Sequence, residues 1–516
     1  MNRKIWKQLR WKPQWKLRWK SQWKLRWKPQ WKLRWKSQWK LQWKPQWKDF
    51  AWCAAVLLLF ILLAGVFYYA AGEQLYWRTS RAVYESVPGE LAAPEPVDGF
   101  EIRQDFLCRI DRLQRITVPV TAFARENHGM LMMEIWDETD GRRLASDSWE
   151  MQMVTEGEQL ACSFDDAGTW GHVISIRLMS DGRTGACIAP WLAASEEWRG
   201  QLFYNGIPAD GAICFGAYGK DRVWTGFHYF EIAAVLFVLL AVGCLRLVYK
   251  KHRGKKSWLL DLAALLKRYR FLLKQLVARD FKIKYKRSVL GVLWSFVNPL
   301  LVMCVQYVVF STIFKSDIAH YQVYLLSGIV LFNFFSESSN VAMYAISGNA
   351  GLITKVYVPK YIYPVSKVLS TCVNLLISLL PLVVITAASG VRVTKAWLLL
   401  PFILGCLLVF CCGVALLLSA ALVFFRDIQF IWSVLLMVLT YATPVFYPES
   451  ILPEGAHAWL MWNPMYHFVK FFRMLVMDGI SPEPLLYVQC AAFAGVFLLA
   501  GALVFARTQD RFIFYL

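Results

Sequence analysis

The stretch RDFKIKYKRS, residues 279–288, sets five cations and one carboxylate within ten positions. Arg279, Asp280, Lys282, Lys284, Lys286 and Arg287, with Tyr285 among them, offer the fixed ammonium and guanidinium donors that bind phosphate oxygens. The same cluster also suits nonspecific attraction to anionic headgroups, at about 1 kcal/mol per basic residue. A second set lies in GLITKVYVPK, residues 351–360. There apolar Leu352, Ile353 and Val356 stand beside Lys355 and Lys360, a mixture that docks on a protein or stays as a solvated loop. A third is FFRDIQ, where Arg426 adjoins Asp427, as a contact surface or as a local ion pair at a helix end. None of these sets is catalytic. No G-x-x-x-x-G-K-[ST] phosphate loop occurs, and RGKKS at 253–257 lacks both the first glycine and a preceding strand. His128 and His172 sit in no nucleophile motif, and the 12 cysteines show no C-x-x-C spacing. The expectation is a chain that is not an enzyme and holds no cofactor or metal.

The elements that must position these residues are mostly membrane helices. Hydrophobic residues make up 57% of the 516, and several apolar runs reach the ~20 residues that cross a bilayer. The first predicted span covers residues 50–71 and the second 229–249. Lys48 and its predecessors precede the first, and KKHRGKK follows the second, so basic flanks put both ends in the cytoplasm. The first apolar stretch begins too late and runs too long for a cleaved leader. Residues 257–290 mix Leu, Phe and Val with Lys and Arg at helical spacing, as an amphipathic helix in the inner interface does. Six more spans are predicted at 291–314, 321–346, 362–389, 396–424, 429–447 and 486–507. The loops holding Lys355, Lys360 and Arg426 then fall inside, and 447–468 outside, where prolines favour short re-entrant helices. The predicted fold class is an α-helical polytopic membrane protein of about eight spans, two plus six, with an inserted extracytoplasmic antiparallel β-sandwich.

That inserted segment, 73–226, carries 24 acidic residues, 13 Arg and a single Lys, consistent with an outside location. Short alternating runs separated by turns predict its strands, and Asp140-Gly141 predicts a tight hairpin. Its four cysteines, Cys108, Cys162, Cys187 and Cys214, fit one or two disulfides or reduced core thiols, with three connectivities open. Residues 1–48 are different. Trp recurs every fourth residue from Trp11 to Trp47, and this tail holds 12 Lys, 5 Arg and no acid. Of the +21 net charge, +17 therefore sits there. A four-residue period drifts by about 40° per repeat around a helix, and the prolines interrupt one, so a flexible strip is expected. Trp and Lys favour the headgroup region, so its expected partner is anionic inner-leaflet lipid and not nucleic acid.

From residue 257 onward the chain resembles the membrane subunit of a type-2 ABC exporter, in the branch exporting O-antigens, teichoic acids and similar lipid-linked polysaccharides. RDFKIKYKRSVLGVLWSFVNPLL resembles that family's passage from interface helix to first span, and LITKVYVPKYIYPVSKV its first cytoplasmic loop. FFRDIQ is similar to the second inner loop, and TPVFYPES…WNPMYHF to the outer gate.

The resemblance implies a homodimeric permease in the bacterial cytoplasmic membrane, energised by a separate nucleotide-binding subunit that holds ATP and Mg. It implies that Leu352, Ile353, Lys355, Val356, Lys360, Arg426 and Asp427 dock that subunit. Arg279, Asp280, Lys282, Lys284, Tyr285 and Arg287 would meet the lipid carrier's phosphates. A glycan path would use aromatics, since sugar rings pack C–H faces on flat side chains. Tyr307, Phe332, Phe335, Tyr441, Phe446, Tyr447 and Trp462 are the candidates, with Pro444 and Pro448 shaping the gate. In the inserted domain, Trp136, Trp149 and Trp170 would suit carbohydrate stacking. Charges within the last six spans are few, Glu337 being the clearest, which argues against a proton-coupled carrier. Export of another amphiphile, or a membrane sensor or scaffold with a ligand-binding outer domain, are the alternative readings.

Overall fold

The apolar run after the tail is helical in the computed structural model, which describes residues 47–85, 88–193, 200–252, 258–286, 288–314, 318, 320–355, 358–452 and 454–515. The expectations for the Trp/Lys tail, and those for Arg287 and Val356, fall outside the described residues. Helix α1 covers Trp47–Ala71, and α2, Tyr229–His252, brings the chain back. Two units are distinguished, residues 1–61 with 236–268, and residues 62–235 with 269–516. In the first, α1 and α2 meet through Phe60 and Phe237, ring centroids 6.1 Å apart. The strands and the helical elements from Tyr269 onward belong to the second.

Between α1 and α2 the chain forms two six-stranded antiparallel sheets. One runs β1(Trp77–Glu85), β12(Gly216–Arg222), β4(Arg112–Thr121), β9(Ala189–Ala193), β2(Pro88–Ala92), with β7(Gln159–Gly168) also on β4. The other runs β11(Ile207–Ala209), β10(Gly200–Tyr204), β3(Ile102–Leu107), β8(Val173–Ser180), β5(Met130–Asp137), β6(Arg142–Glu150). Alternating apolar residues close one core between the sheets, including Ile116, Val118, Ile135, Ile176 and Phe215. The predicted hairpin joins β5 to β6, and Gly141 at φ +63° supplies the left-handed turn residue there. The four cysteines of this domain are buried and are not joined in disulfides in this structure, the reduced-thiol alternative of the two.

The domain's neck is narrow. Tyr76 accepts a backbone hydrogen bond from Val223 at 2.9 Å. A side chain on Gly226 would meet the Leu75 carbonyl, so only glycine fits. Arg78 pairs with Glu483 at 2.6 Å, and the Lys395 ammonium lies 4.5 Å from the Tyr69 ring centre. These contacts tie the neck to the ends of two later helices.

The helical half continues with α3(Trp258–Tyr285), α4(Trp294–Phe314), α5(Tyr321–Met343), α6(Ile362–Ala388), α7(Leu400–Phe424), α8(Ile428–Ala442), α9(Glu454–Leu460), α10(Pro464–Val476) and α11(Pro484–Thr508). Among the described residues, six helices are long and apolar enough to cross a membrane: those spanning Phe50–Leu75, Tyr229–Lys251, Gly291–Ser311, Ile362–Ala388, Lys395–Phe424 and Pro484–Phe514. Two predicted spans fall short of that standard. α8 has only 15 residues, and α5 carries Gln322, Asn333, Ser336, Glu337 and Asn340. α5 tolerates them because 16 of its 23 residues are buried against neighbouring helices rather than facing lipid. α7 and α11 cross closely at Gly413 and Gly501, where a Cβ on Gly501 would stand 2.3 Å from the Gly413 carbonyl oxygen. α10 is 13 residues, about 20 Å, too short to span. It begins with Asn463 accepting from the Met465 N–H at 3.0 Å and Pro464 in its first turn, and it is almost wholly buried.

Candidate functional site

Where α3 ends against α4, α5 and α6, a cavity of about 350 Å³ with both polar and apolar walls opens. Its α4 wall depends on a proline. Pro299 has no N–H to give the Ser295 carbonyl, and the Ser378 hydroxyl of α6 donates to it instead at 3.0 Å. Lys284 enters from α3 and pairs with Glu337 of α5 at 2.6 Å. The same carboxylate oxygen accepts from Asn374 Nδ2 at 3.1 Å, and the Tyr285 hydroxyl donates to Asn374 Oδ1 at 3.0 Å. Tyr285 also contacts the Ser295 hydroxyl. Trp294, Asn298 and Asn333 complete the wall. Of the predicted lipid-carrier residues, the structure thus brings Lys284 and Tyr285 together here and adds Glu337.

The remaining members of that set lie elsewhere. Arg279 donates to Asp280 at 3.0 Å and to Asn349 at 3.4 Å, and Lys367 reaches Asp280 at 3.0 Å. Arg279 and Asp280 therefore fasten α3 to the loop after α5 and to α6, leaving little of either for a phosphate. Lys282 is exposed.

In the candidate docking loop, Leu352 and Ile353 end a one-turn helix, Ala350–Ile353. Leu352 and Lys355 are exposed, while Ile353 is buried. Lys360 is committed inward: its ammonium donates to the Gln509 carbonyl and lies 5.6 Å from the Phe512 ring centre. Arg426 and Asp427 are exposed between α7 and α8, with no ion pair between them in this structure.

The gate segment is held by side chains from neighbouring helices. Residues 443–448 leave the helix after Ala442, and their carbonyls are met by side chains. Arg473 of α10, buried, donates to Pro444 O at 2.6 Å, Val445 O at 2.8 Å and Tyr324 O at 3.2 Å. Its guanidinium lies 3.5 Å from the Tyr324 ring centre. The Tyr324 hydroxyl reaches Tyr447 O at 2.7 Å, and Tyr321 reaches Phe446 O at 2.6 Å. Asn463 donates to Thr443 Oγ1 at 2.8 Å. Backbone that leaves a helix inside a packed helical domain needs protein groups to satisfy it.

Of the predicted channel aromatics, Phe332 and Phe335 are packed in the core and line no accessible wall. Tyr307 packs partly against that core, and Phe446 stacks on Phe310 at 5.6 Å. Tyr447 donates to Tyr441 O at 2.6 Å, Pro444 is buried and Pro448 half-buried. Tyr441 and Trp462 are open, Trp462 being 81% exposed. In the sandwich, Trp136 is half-buried, donates to Glu134 at 2.8 Å and lies under the Arg177 guanidinium. Trp149 packs partly on the core, and Trp170 stands free. Asp137, Asp140 and His172 come close enough to hold a metal ion, but Arg142 lies 3.9 Å and 3.7 Å from the two carboxylates.

Sequence reading missed Arg473, Tyr321, Tyr324 and Asn374. Arg473 lies in KFFRML, where a cation after two phenylalanines carries no signal of its carbonyl partners far away in sequence. An available cue was the need of TPVFYP for side-chain donors once its helix ended.

Residues 272–477 match the family described as ABC-2 type transporter. The O-antigen export system permease protein RfbA of Myxococcus xanthus is 32% identical over 249 residues, covering 48% of this chain and 96% of that protein. The protein of that name from Klebsiella pneumoniae is 29% identical over 243 residues, 47% of this chain and 93% of its own. The polysialic acid transport protein KpsM of Escherichia coli is 26% identical over 244 residues, 46% and 92%. With a relative above 30% identity matched along nearly its whole length, and the family's own match running from α3 to the end of α10, the chain belongs to the ABC-2 type transporter family.

Proposed function

We propose that this protein is the membrane subunit of an ATP-driven exporter that carries a lipid-linked polysaccharide of O-antigen type out across the bacterial cytoplasmic membrane. The observation carrying this reading is the near full-length match to permeases named for O-antigen export and polysialic acid transport. A sensor or scaffold reading leaves the helical half that matches these permeases without a role. ATP and Mg belong to a separate nucleotide-binding subunit, which docks on Leu352 and Lys355 beside the one-turn helix and on Arg426 and Asp427. In this reading α5 and α8 complete eight crossings, both termini are cytoplasmic, and the sandwich is outside. The distribution of Lys and Arg along the chain supports that orientation. A second copy of the chain covers exposed apolar surface such as Phe430, Ile431, Val434 and Met437 of α8.

Depletion of the protein in its native cells tests the function. Surface polysaccharide should fall while lipid-linked polymer accumulates inside; surface polymer at its normal level would overturn the proposal. Mild-detergent purification should recover a near-stoichiometric protein with a phosphate-binding loop.

A further inference from the structure

The cavity between α3, α4, α5 and α6 has a composition that the lipid carrier's phosphates do not explain. Its one ammonium, Lys284, is already neutralised by Glu337 at 2.6 Å, so no surplus positive charge faces the space. Three carboxamides face it instead, Asn298, Asn333 and Asn374. Asn374 is engaged at both ends, with Glu337 and Tyr285. Asn298 and Asn333 are exposed and make no hydrogen bond to a protein group among the described residues. Both stand on apolar helices, where an unpartnered amide against hydrocarbon costs several kcal/mol. Such groups are retained facing an aqueous or ligand-filled space. Trp294 adds a half-open flat ring to the same wall. The volume, about 350 Å³, lies at the small end of ligand pockets, which run from about 300 to 1,000 Å³.

We infer that this cavity binds an uncharged, hydroxyl-rich ring: one sugar unit of the exported chain. Carboxamides both donate and accept, as vicinal hydroxyls do, and the indole face of Trp294 packs against ring C–H groups. A phosphate would require an unneutralised cation, and the lining has none, because Lys284 is paired with Glu337. The source of the sugar rests on the export reading; the chemistry of the cavity does not.

The test places a photo-crosslinking benzoylphenylalanine at residue 333 of the full-length protein in its native cells, with the same probe at residue 380, an exposed apolar position, as the control. Illumination should join carbohydrate to residue 333, seen by periodate staining and hexose masses, and lipid alone to residue 380. Asn333→Leu and Asn298→Leu should each lower surface polymer about tenfold at equal membrane levels, the loss of one hydrogen bond to the ring. Asn333→Gln should restore most of it. Capture of lipid alone or of nothing at residue 333, or normal export by both leucine variants, overturns the inference. If depleting the protein leaves surface polymer unchanged, the export reading fails instead, and carbohydrate capture at residue 333 would still uphold the cavity's chemistry.

Discussion

Replacing Arg473 by methionine removes the donor that holds the gate segment. The side chain fits in outline, but its two short hydrogen bonds, to Pro444 O at 2.6 Å and Val445 O at 2.8 Å, disappear. Hydrogen bonds from a charged group contribute about 1.5–3 kcal/mol each, so about 3–6 kcal/mol is at stake. Pro444 O keeps a partner in the Tyr324 hydroxyl at 3.2 Å, whereas Val445 O loses the side-chain donor that met it. Relief from burying a guanidinium with no carboxylate partner offsets part of the loss. A net of about 3 kcal/mol is expected, or roughly a hundredfold rise in local opening. Hydrogen exchange on the full-length protein in lipid nanodiscs measures it, through peptides covering residues 439–452. Peptides from β5 and β8 serve as the internal reference, since global unfolding would deprotect them as well. Arg473→Lys, which keeps the charge but not the planar fork, should fall between wild type and methionine. Protection of 439–452 within about threefold of wild type in Arg473→Met would refute the latch.

Gly501→Val should drive α11 from α7, costing about 2–3 kcal/mol and lowering the melting temperature by about 5 °C, because its Cβ would stand 2.3 Å from the Gly413 carbonyl oxygen. Gly495→Ala, with nothing within 4 Å of its Cβ, should melt with wild type. Burial raises the Cys108 and Cys187 thiols, and burial together with neighbouring Asp147 pushes Cys162 up to about 12. Native protein at pH 8 should therefore leave Cys108, Cys162 and Cys187 unalkylated, and denaturation without reductant should expose every one; a missing thiol would mean a disulfide. Glu134 and Glu138 are opposed by burial, yet hydrogen bonds from Trp136 and Arg143, and from Ser175 and Arg177, hold both carboxyls below the ordinary 4.5. Stability from groups so depressed is present above that ordinary value and fades as pH falls through the lower folded one. The melting temperature should hold from pH 7 to about 5 and drop on further acidification, and Glu134→Gln should flatten that drop.

Features set by local pattern were legible in the sequence. The β5–β6 hairpin is written in alternating apolar residues around Asp140-Gly141, and the flanking spans in unbroken apolar runs. α3 is written in its mixture of cations and leucines. Features set by partners distant in sequence were not. α5 reads as a span because its apolar content is high, but its Asn333 and Glu337 make sense only once α3, α4 and α6 surround them. Lys360 looks like a solvated docking cation until the last helix brings Gln509 beneath it. Phe332 and Phe335 look like path-lining rings because hydrophobicity does not tell a wall from an interior. The cavity escaped notice for the same reason: Asn298, Asn333 and Asn374 are far apart in sequence and meet only when three helices pack.

The sandwich begins and ends on neighbouring strands, since β1 pairs with β12 and Tyr76 bonds directly to Val223. Its two junctions are therefore separated by one strand spacing, about 4.8 Å. A domain with adjoining termini behaves as a removable cassette. It can be gained, lost or exchanged for another module at this position while α1 and α2 keep their separation. A two- or three-residue Gly/Ser bridge from Tyr76 to Val223 would close the gap, giving a version of the protein that keeps its flanking hairpin but not its β domain.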